Sequence, residues 1–110
     1  MELLGKNLYG NDWNDPELRV CVNAFIGKLA NGEVTTVQTL PWDLAPYGCG
    51  VAYTNGPSCN NGWIQFEICE DALTNKDYFN KIYKEACELT AYLCDMFDID
   101  PKGKVTVNGV

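Results

Sequence analysis

An alternating apolar segment, "NNGWIQFEICED" at residues 60 to 71, contains three acidic residues. Glu70 and Asp71 close the segment, but Glu67 lies within it, where a carboxylate costs free energy unless water, a cation or a donor stabilises it. Two interpretations are open. Glu67 lies on a solvated strand face, or it is a general acid or base at the bottom of a cleft. The aromatic residues of the preceding loop favour the second, because they would make the cleft less polar.

The usual partners of a catalytic carboxylate are absent from this chain. It contains no histidine, which excludes Ser-His-Asp and Cys-His nucleophilic sites. The segment "GCGVAYTNG" contains Gly-x-Gly but does not connect a strand directly to a helix, so it is weak evidence for a phosphate loop. A zinc site would need cysteines and carboxylates alone. Glu67, Cys49 and Cys59 are the candidates, although histidine-free catalytic zinc sites are rare.

The cysteines give little sign of a disulfide framework. There are six, at positions 21, 49, 59, 69, 87 and 94, and no Cys-x-x-Cys pair. Cys21, Cys87 and Cys94 fall in regular apolar segments and are predicted to be buried free thiols, since cysteine packs as a small hydrophobe. Cys49 and Cys59 share a loop, where a disulfide or a metal site between them is the alternative to free thiols.

The charge balance limits the classes of partner. Eight basic and 15 acidic residues give a net charge of −7, whereas nucleic acids and anionic membranes attract basic surfaces. The acidity indicates either solubility or an acidic face that meets a basic partner. Residues 1–10 lack the pattern of a signal peptide, and the apolar stretches are too short to span a membrane. We therefore expect a cytoplasmic protein with no membrane or direct nucleic-acid partner.

Three strands are predicted from the apolar patterns. Residues 19–29 and 33–40 are rich in β-branched residues, and Asn31-Gly32 between them is typical of a hairpin turn. A long loop at 41–62 follows, and loops of this length are often functional. Residues 63–70 form the third strand, with Ile64, Phe66 and Ile68 on the face that a helix would cover. Residues 104–110 indicate a short final strand.

One long helix is predicted from about residue 75 to 97. Thr74 is the expected N-cap and Asp77 its capping-box partner. Pro101 disfavours helix at the residue before it. The expected buried stripe contains Phe79, Ile82, Tyr83, Ala86, Leu89, Leu93 and Phe97. These elements predict an α/β (α+β) fold of two layers, a small mixed sheet with a hairpin and one amphipathic helix. Residues 1–18 form an irregular arm, and residues 19–110 form the core domain.

Several of these segments together resemble a known enzyme family. "TLPWDLAPYGCG", "SCNNGWIQFEICED" and "YFNKIYKEACELTAYLC" are similar to segments of the type 2 N-acetylmuramoyl-L-alanine amidases. These are zinc-dependent peptidoglycan hydrolases that include phage endolysins and peptidoglycan-recognition proteins. The resemblance covers roughly residues 19–107. It implies that Glu67 corresponds to the general base beside a zinc-bound water. It also implies that Asn60 and Asn61 match family asparagines, and that residues 47–50 match the Trp-His-x-Gly loop of the substrate groove.

The departures from the family concern the metal. The family binds zinc through two histidines and a cysteine or aspartate. Here the loop histidine is replaced by Gly48, and Asn23-Ala24 stands where a hairpin strand often carries Tyr-His. No "HHT"-like segment is present, and the remaining ligands would lie beyond Val110. The resemblance therefore implies a truncated amidase core, with zinc expected for the family but no cofactor expected for this chain.

Three functions are compatible with this sequence. The candidate residues for binding a substrate or a partner are Trp42, Tyr47, Cys49, Tyr53, Asn60, Asn61 and Trp63. The first function is a catalytically inactive domain that still binds muramyl peptides, on which the aromatic residues of this set would stack. The second is a phage- or mobile-element-encoded protein that binds a host protein through its acidic surface, for example to inhibit a defence nuclease. The third is a gene fragment or half-enzyme completed by another chain. Open sheet edges make a homodimer compatible with all three.

Overall fold

The computed structural model describes residues 15–50, 58–72 and 74–104. They form a three-stranded sheet with one long helix on one face, which confirms the predicted α+β fold class. The elements are β1 (Ala24–Lys28), β2 (Val34–Gln38), β3 (Phe66–Ile68) and α1 (Lys76–Phe97). The sheet order is β2-β1-β3. The central strand β1 is antiparallel to β2 and parallel to β3, so the sheet is mixed.

The hairpin between β1 and β2 turns at the predicted Asn-Gly pair. Gly32 has φ of +87°, a conformation that a residue with a side chain adopts only with strain. The side-chain Oδ1 of Asn31 accepts a hydrogen bond from the Glu33 amide at 3.0 Å. The Leu29 amide donates to the Glu33 carbonyl at 2.7 Å and closes the turn. The positive φ and the local side-chain bond are what this dipeptide predicts.

The strands are shorter than predicted, and β3 is the least covered. Ile64 and Phe66 pack against the core under α1 as expected. Ile68 was expected on the same buried face but is 46% exposed, so that prediction is wrong. The reason is that α1 packs mainly on β1 and β2, so the edge strand β3 is covered less.

The N-cap of the helix lies one residue later than predicted. Asn75, not Thr74, is the N-cap, and its side-chain oxygen accepts from the Tyr78 amide at 3.1 Å. The predicted capping box is therefore wrong, and Asp77 instead forms an ion pair with Lys81 at 2.7 Å. At the other end Asp98 adopts a left-handed conformation with φ of 52° and donates its amide to the Cys94 carbonyl. This C-cap ends the helix before Pro101 is reached.

The core lies between β1 and one side of α1. Its buried members are Ile26, Tyr78, Ile82, Leu89 and Leu93. The predicted stripe was too wide, because Phe79, Tyr83 and Phe97 are 61%, 63% and 43% exposed. A sheet of three strands covers only part of the apolar circumference of α1.

The prediction of buried thiols also needs correction. Cys21 and Cys87 are exposed, and Cys94 is only partly buried. Cys87 and Cys94 lie on the side of α1 that the sheet does not cover. Cys21 precedes β1, where its backbone pairs with Tyr47 in an isolated bridge.

Some predictions fall on other parts of the chain. Most of the N-terminal arm, Tyr53 and the final strand lie outside the described residues. Within the described residues, no helix has the length and apolar character needed to cross a membrane.

Candidate functional site

A fully buried asparagine fixes the first half of the long loop. The side chain of Asn23 is 0% exposed. Its Nδ2 donates to the carbonyl oxygens of Pro41 and Leu44, both at 3.0 Å, and its Oδ1 accepts from the Gln65 amide at 2.9 Å. All of its hydrogen-bonding atoms are thus satisfied inside the protein, as burial of an amide requires. This one side chain joins the loop to the segment that leads into β3.

A second buried asparagine fixes the end of the same loop. The Oδ1 of Asn60 accepts from the amides of Gly48 at 3.1 Å and Cys49 at 3.0 Å. Its Nδ2 donates to the Gly50 carbonyl at 2.8 Å. The segment 48–50 therefore binds to Asn60 much as it would bind to a neighbouring strand. Asn60 is a predicted site residue, and the structure places it beneath the loop rather than in contact with solvent.

Gln65 fills the space beside Gly48. A Cβ atom added to Gly48 would lie 2.4 Å from the Gln65 Oε1 and 3.0 Å from a Val22 methyl carbon. The Gln65 Nε2 is held by the Cys59 carbonyl at 2.9 Å and by the Asn60 Oδ1 at 3.2 Å. Position 48 therefore cannot carry a side chain, histidine included, unless Gln65 moves.

Two predicted aromatic residues border this junction and face solvent. Tyr47 and Trp63 are 46% and 47% exposed. Tyr47 precedes Gly48 in the loop, and Trp63 lies two residues before Gln65. Asn61, the remaining predicted asparagine, is exposed beside Asn60. Trp42 is placed differently from these two aromatics: it is half-buried and packs against the core, so most of its ring supports the loop from below.

Glu67 lies on β3, paired in register with Phe25. The residue is exposed, and its carboxylate makes no hydrogen bond or ion pair with the described residues. Burial raises the pKa of the nearby Cys69 thiol, and the negative charge of Glu67 adds to that rise. Glu67 thus has the surroundings of a carboxylate on a solvated strand face, the first of the two interpretations drawn from the sequence.

The cysteines of the loop are free thiols. Cys49 and Cys59 are both exposed and unbridged. Among residues 15–50, 58–72 and 74–104, no three cysteine or acidic side chains lie close enough together to hold a metal ion. The grouping of Glu67, Cys49 and Cys59 that a histidine-free zinc site would require is therefore not formed by the described residues.

A polar cluster beyond the end of β3 ties this strand to α1. The Tyr78 hydroxyl donates to the Cys69 carbonyl, and burial of the phenol raises the pKa of Tyr78 to about 12. The Lys28 ammonium lies 5.5 Å from the centre of the Tyr78 ring and 2.8 Å from an Asp71 carboxylate oxygen. The hydrogen bond from Lys28 is the main cause that lowers the pKa of Asp71. Every charge here has a partner, so the cluster is structural.

Asn23 and Gln65 are the residues of the site that sequence reasoning missed. The signal for Asn23 was present, because it is the one polar residue in the otherwise apolar run "VCVNAFI". A polar side chain in a buried strand needs partners, and it predicts a loop that supplies them. Gln65 gave no such signal, because a glutamine is expected on the solvent-facing side of a strand with alternating apolar and polar residues.

Comparison with protein-family models, with curated proteins and with solved structures found no match to this chain. The arrangement of the two asparagines and the exposed rings is therefore the observation from which a function must be argued.

Proposed function

We propose that this chain is a binding protein without hydrolytic activity, and that it contacts a basic surface of a host protein through the loop held by Asn23 and Asn60. We call the exposed residues Leu44, Tyr47 and Trp63 of this region the loop surface. The observation that carries the proposal is the presence of exposed aromatic side chains on a backbone fixed by two buried amides.

This combination suits a protein partner for two physical reasons. Tyrosine and tryptophan are enriched among residues that contribute most to binding, because each buries a large area with few rotatable bonds. A loop already fixed by internal hydrogen bonds loses little conformational entropy when it binds. Leu44, at 52% exposure, is a further exposed apolar side chain of the same loop.

The charges indicate the chemistry of the partner. Asp43 lies in the loop and Glu67 on β3, and both are exposed. The chain as a whole carries a net charge of −7. An acidic protein is steered toward basic surfaces and accelerated in association, an effect that falls with added salt. A cytoplasmic partner is compatible with six free thiols, which persist in a reducing compartment.

The proposed lack of hydrolysis rests on Glu67 and on composition. A general base needs a water or metal held beside it, and histidine, the commonest ligand for a catalytic zinc, is missing from the chain. The Gln65 side chain occupies the space beside Gly48, so a histidine ligand at position 48 would require Gln65 to move.

The test is affinity capture from a bacterial lysate with three baits, quantified by mass spectrometry. We expect the wild-type chain to retain a basic protein. A bait that carries both Tyr47→Ala and Trp63→Ala should lose that protein. A Tyr92→Ala bait is the matched control, since Tyr92 is an exposed aromatic on α1. Equal retention by all three baits, or none above an empty resin, would contradict the proposal.

Muramyl peptides are the second candidate ligand, favoured by the exposed rings of Tyr47 and Trp63, which could stack on a sugar. Titration with muramyl dipeptide, followed by tryptophan fluorescence, separates the two. A saturable change that Trp63→Phe abolishes would favour the peptidoglycan fragment over the protein. Release of peptide from a muramyl substrate by zinc-loaded protein, lost in Glu67→Gln, would refute the inactive assignment altogether.

A further inference from the structure

The uncovered side of α1 forms a second apolar face, distinct from the one that packs on the sheet. It runs from one end of the helix to the other. We define the second face by Phe79, Tyr83, Cys87, Thr90, Cys94 and Phe97, which fall within about 80° of one another at 100° per residue. None of the six is charged. The exposed phenylalanine and tyrosine near its start stack on each other, with ring centres 6.1 Å apart.

The second face carries large aromatic side chains near both ends and small side chains in its middle. A groove of ≈ 480 Å³ lies between Tyr83 and Pro101, and its floor consists mainly of small residues such as Ala86, Ala91 and Cys94. Aromatic rings stand at the start of the face, and Phe97 stands at its end. Small residues allow another helix to approach closely, and the rings supply knobs that could fill a groove of the same kind.

We propose that a second copy of this chain covers the second face, with the two α1 helices packed antiparallel about a two-fold axis. In an isologous pairing each residue faces a fixed counterpart in the other copy. An axis between Cys87 and Thr90 places these two opposite each other. It also sets Tyr83 of one copy against Cys94 of the other, so that this large side chain meets a small one, and it brings Phe79 of one copy close to Phe97 of the other.

The charges at the two ends of α1 agree with this orientation. Lys76 lies at the start of the second face and has no ion pair among the described residues. The last turn of the helix contains no basic residue, while Asp98 caps it and Asp100 follows. Antiparallel pairing brings Lys76 of one copy to the acidic C-terminal end of the other. A lysine there also interacts favourably with the partial negative charge of the helix terminus.

The available area sets the strength of the pairing. Phe79, Tyr83 and Phe97 are 61%, 63% and 43% exposed. At roughly 200 Å² for each aromatic residue, they offer about 300 Å² per copy. The small residues of the groove raise the total area of two copies toward, but not above, the lower limit of standard interfaces, about 1,200 Å². Interfaces at or below this limit are typical of weak, transient association, so we expect a reversible dimer whose population depends on concentration.

Sedimentation velocity over about 5 to 500 µM, with reductant to keep the exposed thiols free, tests the pairing. We expect the mass to rise from 12.3 kDa toward twice that value as concentration increases. Tyr83→Lys should weaken dimerisation at least tenfold, because it buries a charge at the contact. Tyr92→Lys is the matched control, since Tyr92 is 53% exposed on a different side of the same helix. Ala91→Arg, which fills the groove, is the second variant should Tyr83→Lys alter the circular dichroism spectrum.

A charge exchange tests the orientation. Lys76→Glu should weaken the dimer, and Lys76→Glu combined with Asp100→Lys should restore it, because each copy then presents the reversed pair. A chain that stays monomeric up to 500 µM would overturn the pairing and leave another segment of the chain or an unrelated protein as the occupant. A dimer that Tyr83→Lys and Ala91→Arg leave intact would overturn it as well.

Discussion

Replacing Asn23 by alanine tests whether the buried amide fixes the loop. The substitution removes three hydrogen bonds, to the Pro41 and Leu44 carbonyls and from the Gln65 amide. Each partner group left buried and unsatisfied costs about 1–3 kcal/mol, and water can reach some of them once the loop loosens. We expect a loss of about 3–5 kcal/mol in the free energy of unfolding, a large part of the 5–15 kcal/mol typical of a domain. Urea unfolding followed by tryptophan fluorescence measures it.

Two further variants sharpen this test. Asn31→Ala is the control, because Asn31 is exposed and makes a single local hydrogen bond in the hairpin turn, so it should cost well under half as much. Asn23→Asp keeps the size of the side chain but turns the two donors into an acceptor that faces two carbonyl oxygens. It should be at least as destabilising as alanine at pH 7 and should partly recover in acid, when the carboxyl group can donate. A loss below about 1 kcal/mol for Asn23→Ala would refute the role assigned to the amide.

Three other predictions follow from single contacts. Gly48→Ala should cost about 1–3 kcal/mol in wild type and clearly less in a Gln65→Ala background, because the added Cβ then no longer meets the Gln65 oxygen. A double-mutant cycle in urea with no coupling would contradict the close approach. Asn75→Ala should cost about 1 kcal/mol of unfolding free energy while Thr74→Ala costs almost none, and equal losses would contradict the assigned N-cap. The pKa of Tyr78 is raised from 10.0 to about 12, so its contribution to stability is complete below pH 10 and falls as pH rises through that interval. An ultraviolet absorbance titration should show a last tyrosine ionising near pH 12 that Tyr78→Phe removes.

The parts of the fold that local patterns determine could be predicted from the sequence. The hairpin turn follows from Asn31-Gly32, and the extent of α1 follows from its periodic apolar residues. The helical periodicity does not show, however, how much of the helix the sheet can cover. Phe79 and Tyr83 satisfy the helical pattern as well as Ile82 does, but the sheet has too few strands to cover them.

The candidate site was harder to predict because it depends on contacts between distant residues. The composition of the loop and its resemblance to amidase segments predicted the loop aromatics and Asn60 as site residues. The role of Asn60 as an acceptor for amides 11 and 12 residues earlier is set by tertiary structure alone. Asn23 bonds to carbonyl groups 18 and 21 residues away, and no local rule gives such a spacing. The N-cap was misassigned for a smaller reason, since Thr74 and Asn75 are both good caps and only the backbone decides between them.

The contact between Gly48 and Gln65 bears on the expectation, drawn from the sequence alone, that Gly48 replaces an amidase histidine. If Gly48 were simply a lost histidine, restoring that residue would be a local change. In this structure the space beside Gly48 belongs to the Gln65 amide, which also binds the Cys59 carbonyl and the Asn60 side chain. A side chain at 48 would therefore require the end of the Gln65 side chain to move away from Gly48. A change from Gly48 to histidine is thus not independent of Gln65. This packing is one reason why we propose a binding role for the loop surface and no catalytic role for Glu67, whose side chain is exposed.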